Sequence, residues 1–534
     1  MNTIIFLSSL IILICIALSK FSQKIGLPAL LLFILLGMGF THPHLLNISF
    51  SNFSLVDHAA SAALLFIMFY GGFNTRWQEA RKVAIESILL ASIGVVLTAF
   101  LTAFLIYYLL GWPFKYSFLI GSVLSSTDAA SVFAIIRSKK LALKYNTSSL
   151  LELESGSNDP ASFLLTSIAV QNLSHPIGTT QLFGQIILQI GLALLIGYGL
   201  FKMTHWFLNR VQLPQTMVTV LIFALAMMTY SLTNLSQGNG YLAVYLFGIL
   251  LGNSSIHDKA NLVHFFDGLT TVMQMGLFFA LGLLSDAKLL NQVFVEGLLV
   301  FVILTILVRP LVVSLILIPF KAPLAKIALI SSAGLRGAAS IAFAIMAHTR
   351  MTQHSVDIFH LVFVVVLLSI LFQGSLLAWN AQKLSMTDDL ANPLKSFSDY
   401  AEERPIEFIG FLVNDNLHPW AGQKIADLNI QPDLLIVLVI REDHPMVPDG
   451  QTQLEIGDKA VCIAKTFTHS YDFTLNEVTI EADSPYLTSP LSRFNQTNKL
   501  LVLIKRGNKH IIPDGTTQLQ IDDEVIYLNS GSPS

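Results

Sequence analysis

The sequence predicts an all-α polytopic membrane protein of about thirteen transmembrane helices, with inverted repeats and two crossed broken helices, followed by an α/β cytosolic tail. Hydrophobic residues make up 53% of the chain and charged residues 12%, whereas soluble proteins carry about 25% charged residues. Apolar runs with short breaks fill residues 1–385, and clusters of charged residues follow in 386–534. Most of the chain is therefore expected to lie in lipid.

Apolar runs of about 20 residues, the length that crosses a bilayer, are expected to form the helices. The thirteen runs lie near residues 2–18, 25–40, 56–73, 83–110, 116–136, 148–171, 181–206, 214–232, 238–252, 262–284, 290–320, 324–349 and 356–382. The first run lacks the basic start and small-residue cleavage site of a signal peptide, so it is expected to remain as a helix. Residues 386–403 are expected to link this transmembrane domain to the tail.

Lysine and arginine predict the orientation, because they gather in cytoplasmic loops. Odd-numbered loops and their edges carry fourteen of these residues and even-numbered loops carry three. An odd number of helices then places the N-terminus outside and the tail in the cytoplasm of a multi-pass protein of the cell (inner) membrane. The net charge of -3 argues against a nucleic-acid partner, and Cys15 and Cys462 lie too far apart in the chain for a disulfide framework or a cysteine metal site.

The fifth segment carries a polar stretch near mid-membrane, where Ser126, Thr127 and Asp128 interrupt an apolar run. Transporter helices broken at this depth expose carbonyl oxygens and helix ends to an ion. Ser126 and Thr127 are expected to supply oxygens, and Asp128 to offset a helix dipole. The structural alternative is that the hydroxyls bond to their own helix and Asp128 pairs with a neighbour, but an ionisable residue inside a membrane usually has a function.

The sixth segment is too acidic to face lipid. At about 100° per residue, Glu154 and Asn158 share one stripe of the helix, and Ser155 and Asp159 share the adjacent stripe. Ser155 and Asp159 are therefore expected to form one ligand face. Burial favours the neutral form of a carboxyl group and a bound cation favours its charged form, so one such group holds either a proton or a cation, which is an exchange mechanism.

Two arginines, Arg309 in the eleventh segment and Arg336 in the twelfth, lie deep in spans, and one of them is expected to pair with Glu154. Spacing leaves open which one. Gly334 and Gly337 flank Arg336, which favours close backbone approach over snorkelling toward an interface. Since this polar and glycine-rich stretch lies seven spans after the one in the fifth segment, it predicts a second broken helix and inverted repeats with the site between them.

These motifs together resemble the monovalent cation/proton antiporter family of NhaP and Na+/H+ exchanger type, over residues 1–385. The resemblance implies a thirteen-helix homodimer with alternating access and electroneutral exchange, and no cofactor beyond the transported K+ or Na+ and H+. Asp159 would be the carboxylate that alternates between proton and metal cation. Asp128, Ser155 and the Thr127 carbonyl would complete the cation site, and Asn158 would be steadied by Glu154 with an arginine.

The tail contains an internal repeat, because residues 434–463 and 499–528 align at an offset of 65. Each copy has a β-branched run, a Pro-Asp-Gly turn and a closing apolar strand, which predicts hairpins; one helix is expected over Ala421 to Leu428. We therefore expect two modules, 404–468 and 469–534. They resemble the C-terminal ligand-sensing (RCK_C, TrkA-C) domain of potassium-conductance regulators, and such tails occur mostly on K+/H+ antiporters, which favours K+ over Na+ and implies a small cytosolic ligand.

Two other function classes compete with the antiporter. A ligand-gated monovalent cation channel would need a continuous pore and no obligatory proton carrier. A membrane-bound sensor or enzyme is disfavoured, because the sequence shows no nucleophile with a base and an orienting residue, and no metal-ligand spacing. The tail has a further alternative, a dimerisation or stability module without a ligand.

Overall fold

The computed structural model divides the chain into two compact units, Met1–Leu394 and Lys395–Ser534. The residues that it describes are 2–25, 28–41, 50–75, 77–128, 131–132, 135–136, 141, 143–174, 178–211, 213–254, 259–351, 356–387, 406–413, 419–428, 434–442, 444–465, 475–480, 499–506, 509–511 and 517–529.

Each predicted apolar segment of the first unit contains helix among its described residues. The helices are α1 Asn2–Ile25, α2 Ala29–Thr41, α3 Phe53–Asn74, α4 Ala84–Leu110, α5 Phe114–Val123, α6 Thr147–Ser174, α7 Thr179–Arg210, α8 Gln215–Leu235, α9 Gly240–Gly252, α10 Lys259–Leu284, α11 Ala287–Phe320, α12 Leu324–Ser332, α13 Ala338–Arg350 and α14 Ile358–Lys383. Among the described residues, eight helices are long and apolar enough to cross a membrane and two shorter ones are also apolar. The polytopic helical class is confirmed, while the number of thirteen crossings stays a prediction.

The helices pack as two groups. Helices α4–α6 and α11–α14 contact one another and contain both broken segments, so we call them the broken-helix bundle. Helices α1–α3 and α7–α10 form the second group, which we call the framework. The two groups meet mainly where α13 packs on α3 and where α6 packs on α9.

The broken-helix bundle is built from two similar halves. Each half begins with a long helix that has a π-helical stretch, Leu90–Gly94 in α4 and Ile303–Val308 in α11. A broken helix and then a further long helix follow in both halves. Equivalent helices lie seven segments apart, an odd number, which is the spacing that inverted repeats require.

Glycines bring α2 and α10 of the framework into backbone contact. A Cβ on Gly37 would collide with the Phe279 carbonyl and lie 2.8 Å from the Leu283 backbone nitrogen. A Cβ on Gly282 would collide with the Ile34 carbonyl in the same way. Small residues permit such close helix packing in lipid, where van der Waals contact replaces the hydrophobic effect. Helix α10 is thereby held firmly against α2.

The second unit contains two four-stranded antiparallel sheets with the same strand order. The strands are β1 Ile406–Leu412, β2 Leu434–Arg441, β3 His444–Met446, β4 Lys459–Lys465, β5 Leu475–Thr479, β6 Lys499–Arg506, β7 Lys509–Ile511 and β8 Glu524–Asn529. The orders are β1-β4-β2-β3 and β5-β8-β6-β7. A register shift falls between Ile436 and Leu438 in β2 and between Leu501 and Leu503 in β6, again 65 residues apart. The sequence repeat is therefore also a structural repeat.

The helix expected over Ala421 to Leu428 is wrong. Only a 3-10 turn forms there, Ile425–Asp427. The preceding backbone bonds to another segment instead of to itself: the Gly422 nitrogen donates to the Leu454 carbonyl at 2.8 Å, and the Leu454 nitrogen donates to the Gln423 carbonyl at 3.0 Å. Those bonds use the amide and carbonyl groups that a helix would need. The Pro-Asp-Gly turn of the second module lies outside the described residues.

An arginine–aspartate pair locks each sheet at the same position. Arg441 donates from Nε and Nη2 to the two carboxylate oxygens of Asp458, at 2.8 and 2.7 Å, and Arg506 makes the same two bonds to Asp523 at the same distances. Both aspartates are buried. Bidentate pairs of this geometry are among the stronger hydrogen-bonded contacts in proteins.

The Arg441→Gln variant should loosen the first sheet and leave the second intact. A buried carboxylate that loses its partner costs about 3 kcal/mol, so the β4 amides should exchange with deuterium about 100-fold faster at neutral pH. Because Arg441 holds the pKa of Asp458 below its usual value, the stabilisation is present above about pH 4 and is lost as the pH falls further. Arg506→Gln is the matched control and should act on β8 alone; unchanged β4 exchange in the Arg441 variant would contradict the expectation.

Candidate ion-binding site

The two broken helices cross and bond to each other at their breaks. Helix α5 ends at Val123, residues 124–128 are not helical, and residues 131–132 are helical again, while α12 ends at Ser332 and α13 begins at Ala338. The Asp128 backbone nitrogen donates to the Leu335 carbonyl at 2.8 Å. Each break thus satisfies backbone groups of the other, which lipid cannot do.

Arg336 lies at the centre of this crossing and is buried. Its Nη1 donates to the Ser126 carbonyl at 2.7 Å, and its backbone nitrogen donates to the Ser369 hydroxyl at 2.9 Å. Ser369 in turn donates to Gln373 Oε1 at 2.5 Å, within the π-helical stretch of α14. Ser369 and Gln373 are not among the residues predicted from the sequence, although two polar residues one turn apart in an apolar run were a usable signal.

Helix α6 holds the break of the fifth segment through Asn158 and Ser155. Asn158 accepts from the Thr127 backbone nitrogen at 3.3 Å and donates from Nδ2 to Thr127 Oγ1 at 2.5 Å. The Ser155 hydroxyl donates to the Thr127 carbonyl at 2.6 Å. All three side chains are buried. The structure therefore brings these predicted site residues together as a hydrogen-bond network that shapes the broken backbone.

The two aspartates have different surroundings. Asp159 is 7% exposed and accepts a hydrogen bond from the Ser126 hydroxyl. Asp128 accepts from the Ser131 backbone nitrogen at 3.3 Å and from the Ser131 hydroxyl, and its carboxylate lies against Gly337 at the start of α13. A helix N-terminus and a backbone amide stabilise negative charge. Asp128 therefore lies beside the start of α13 and a backbone amide, whereas the hydrogen bond to Asp159 comes from one hydroxyl.

A small cavity of about 20 Å³ lies between the two groups of helices. Ser126, Asp128, Asp159 and Gly337 line it from the broken-helix bundle. Leu64 of α3 and Gln274 and Phe278 of α10 line it from the framework. About 10–15 Å³ of such space holds one water-sized particle, so the cavity has room for one small ion beside both carboxylates.

Glu154 pairs with Arg309. Glu154 Oε1 lies 2.6 Å from Arg309 Nη2, and the two side chains are only 1% and 5% exposed. Gly334 lets α12 approach, because a Cβ there would lie 2.9 Å from Arg309 Nε. Spacing left open which arginine pairs with Glu154. In the structure Arg309 forms the ion pair with Glu154, and Arg336 donates a hydrogen bond to the Ser126 carbonyl.

Comparison with known proteins agrees with this architecture. The family model described as "Sodium/hydrogen exchanger, transmembrane" matches residues 9–383, and the TrkA-C domain model matches residues 411–465. Among solved structures, the sodium proton antiporter MjNhaP1 from Methanocaldococcus jannaschii superposes with a TM-score of 0.64 at 23% identity, covering 71% of this chain and 98% of that chain. That likeness shows a shared fold.

Curated relatives cover most of the chain. K(+)/H(+) antiporter NhaP2 of Shewanella sp. (strain ANA-3) is 29% identical over 463 residues, 86% of this chain and 80% of that protein. K(+)/H(+) antiporter NhaP of Alkalimonas amylolytica is 29% identical over 474 residues, 87% of this chain and 81% of that protein. Na(+)/H(+) antiporter ApNhaP of Aphanothece halophytica is 26% identical over 402 residues, 70% of this chain and 72% of that protein. The expected resemblance is confirmed, and because the exchanger model spans more than half of its length, the chain belongs to the sodium/hydrogen exchanger family.

Proposed function

We propose that this protein exchanges a monovalent cation, K+ in preference to Na+, for protons across the cell (inner) membrane, and so serves cation and pH homeostasis. The observation that carries the proposal is the cavity at the crossing of two broken helices, which has two carboxylates in its wall. The preference for K+ is supported by the relatives described as K(+)/H(+) antiporters and by the TrkA-C match.

In this mechanism Asp159 carries the proton and the cation by turns. Among the described residues, only the Ser126 hydroxyl donates a hydrogen bond to the Asp159 carboxylate. Protonation of that carboxylate therefore gives up few hydrogen bonds. When a metal cation enters, Asp159 releases the proton and binds the cation together with Asp128. Ser155, Thr127 and Asn158 contribute oxygens or hold the broken backbone in place, and the Glu154–Arg309 pair and Arg336 keep the crossing rigid.

Alternating access requires the broken-helix bundle to move against the framework. At one end of the described interface, the Phe53 ring lies 4.3 Å from the His348 ring, and Thr349 Oγ1 donates to Asp57 Oδ2 at 3.4 Å. These contacts join α3 to α13, so they would separate when the site opens on that side. We place this end and the N-terminus outside the cell, by the positive-inside distribution. A homodimer that forms through the framework would leave the bundle free to move.

We further propose that residues 386–403 link the transmembrane domain to two cytosolic ligand-sensing modules, 404–468 and 469–534. The chain leaving α14 bonds to the loop before α6, because the Lys144 nitrogen donates to the Met386 carbonyl at 2.9 Å and Lys144 Nζ donates to the Ser385 carbonyl at 3.0 Å. That loop joins the two segments that contain Asp128 and Asp159. The end of the transmembrane domain is therefore hydrogen-bonded to the connection between the two segments that carry the site.

The Gly337→Ala variant should fold and transport at least about tenfold more slowly, because a new Cβ would collide with the Asp128 carboxylate and such overpacking costs about 1–3 kcal/mol. The displaced carboxylate would leave the start of α13. Exchange rates in vesicles and the thermal midpoint of the purified variant measure the two effects. Gly276→Ala in α10, where nothing lies within 4 Å, is the control, and equal rates for the two variants would refute this explanation.

The function itself is tested in everted vesicles that contain the protein and a pH-sensitive dye. Adding K+ should release stored protons at a low cation concentration, Na+ should do so less well, and Li+ is included as a third cation. Vesicles without the protein give the background. Cation flux that never moves protons would overturn the antiporter and favour the channel. Equal responses to K+ and Na+ would overturn only the preference.

A further inference from the structure

The cavity has one polar side chain that does not come from the broken-helix bundle, namely Gln274 of α10. It is half-buried near the middle of a largely apolar helix. An amide at that depth is costly unless it has polar partners. The position of Gln274 in the cavity wall therefore calls for a partner inside the cavity.

Two neighbouring polar side chains of the framework bond to protein. Thr270, one turn before Gln274, donates to the Phe266 carbonyl at 2.8 Å, and Asn239 donates to the Pro160 carbonyl at 2.8 Å. Gln274 makes no hydrogen bond to any residue in the described part of the chain. Its carbonyl oxygen is thus available to a ligand in the cavity.

The position of Gln274 is also rigid. Helix α10 is pressed against α2 at Gly37 and Gly282, eight residues beyond Gln274. The oxygens of Ser126, Asp128 and Asp159 belong instead to the broken-helix bundle. A cation in the cavity therefore meets two carboxylates and a hydroxyl on one side and a neutral amide oxygen on the other.

We propose that the Gln274 side-chain carbonyl is a cation ligand, and that it sets the preference for K+ over Na+; this inference rests on the proposed function. The attraction between a cation and a full negative charge becomes stronger as the ion becomes smaller, because the two charges approach more closely. A neutral carbonyl oxygen can replace one water molecule of the hydrated cation. It adds a ligand without strengthening the preference that a carboxylate gives to the smaller Na+. Gln274 thus completes the coordination of the larger and more weakly hydrated K+.

The test compares Gln274→Leu, which removes the oxygen, with Gln274→Glu, which replaces the amide by a carboxylate of nearly the same shape. In Gln274→Leu the apparent KM for K+ should rise about tenfold, because the cation loses one ligand. The apparent KM for Na+ should change less. Gln274→Glu should shift the preference toward Na+ and Li+. The control is Gln185→Leu in α7, a glutamine of the framework outside the cavity wall, which should leave both KM values unchanged.

A second readout does not depend on transport: the thermal midpoint of each purified full-length protein, measured with increasing KCl or NaCl. Wild-type protein should be stabilised by K+ at lower concentration than Gln274→Leu. One outcome is that wild type exchanges cations for protons while all variants have the wild-type ratio of KM values for K+ and Na+ and the wild-type midpoint shifts. That result would overturn the ligand assignment and leave the proposed function standing. If wild type itself exchanges nothing, the proposed function fails.

Discussion

Asp159→Asn should abolish cation/proton exchange and leave the protein folded. Asparagine has nearly the shape of aspartate and can still accept the hydrogen bond from the Ser126 hydroxyl. It can neither bind a second proton nor offer a negative charge to a cation, so both halves of the cycle stop. The dye signal on adding K+ or Na+ should fall to that of vesicles without the protein.

A matched control separates the loss of charge from a general disturbance of the membrane domain. Asp267 of α10 is exposed, lies outside the cavity wall and accepts a hydrogen bond from Tyr70 at 3.0 Å. Asp267→Asn should therefore exchange near the wild-type rate. If Asp159→Asn conducted K+ at an undiminished rate without proton movement, the carboxylate would not be the carrier and the channel would be the better description.

Arg309→Met should cause the largest loss of stability in the membrane domain. Glu154 would remain buried with its charge and without its partner, and breaking a buried ion pair in this way costs about 3–5 kcal/mol. Glu154→Gln should cost less, since the guanidinium that remains has a longer and more adaptable side chain. Thermal unfolding of the detergent-solubilised protein, followed by the loss of the monodisperse fraction, measures both.

The double variant Arg309→Met with Glu154→Gln should recover part of the stability, because both charges are then absent from the interior. Lys326→Met is the comparison, since it breaks the 2.8 Å pair with Glu86, whose side chain is 18% exposed and can be solvated when left alone. Its midpoint should fall by less than that of Arg309→Met. An Arg309→Met protein as stable as wild type would show that the pair does not hold α6 to α11.

Much of the fold was readable from the amino acids alone, because lipid leaves the backbone few choices. Each apolar run had to satisfy its own amide and carbonyl groups, so it had to be helical. Interruptions such as Ser126 to Asp128 and Gly334 to Gly337 were visible for the same reason, since polar residues at that depth are costly. The two similar sheets of the tail were predictable from the sequence repeat at an offset of 65 residues, because similar sequences form similar strands.

Only the tertiary structure decided which residues meet. Spacing along one helix relates Ser155 to Asp159, but it contains no information on how far Arg309 and Arg336 lie from Glu154, since those distances depend on how separate helices pack. The same holds for the hydroxyl of Ser126 on Asp159 and for Gln274, which reaches the cavity only because α10 packs beside the crossing. The turn at Ile425–Asp427 was decided likewise by bonding to a distant segment, which local propensity does not encode.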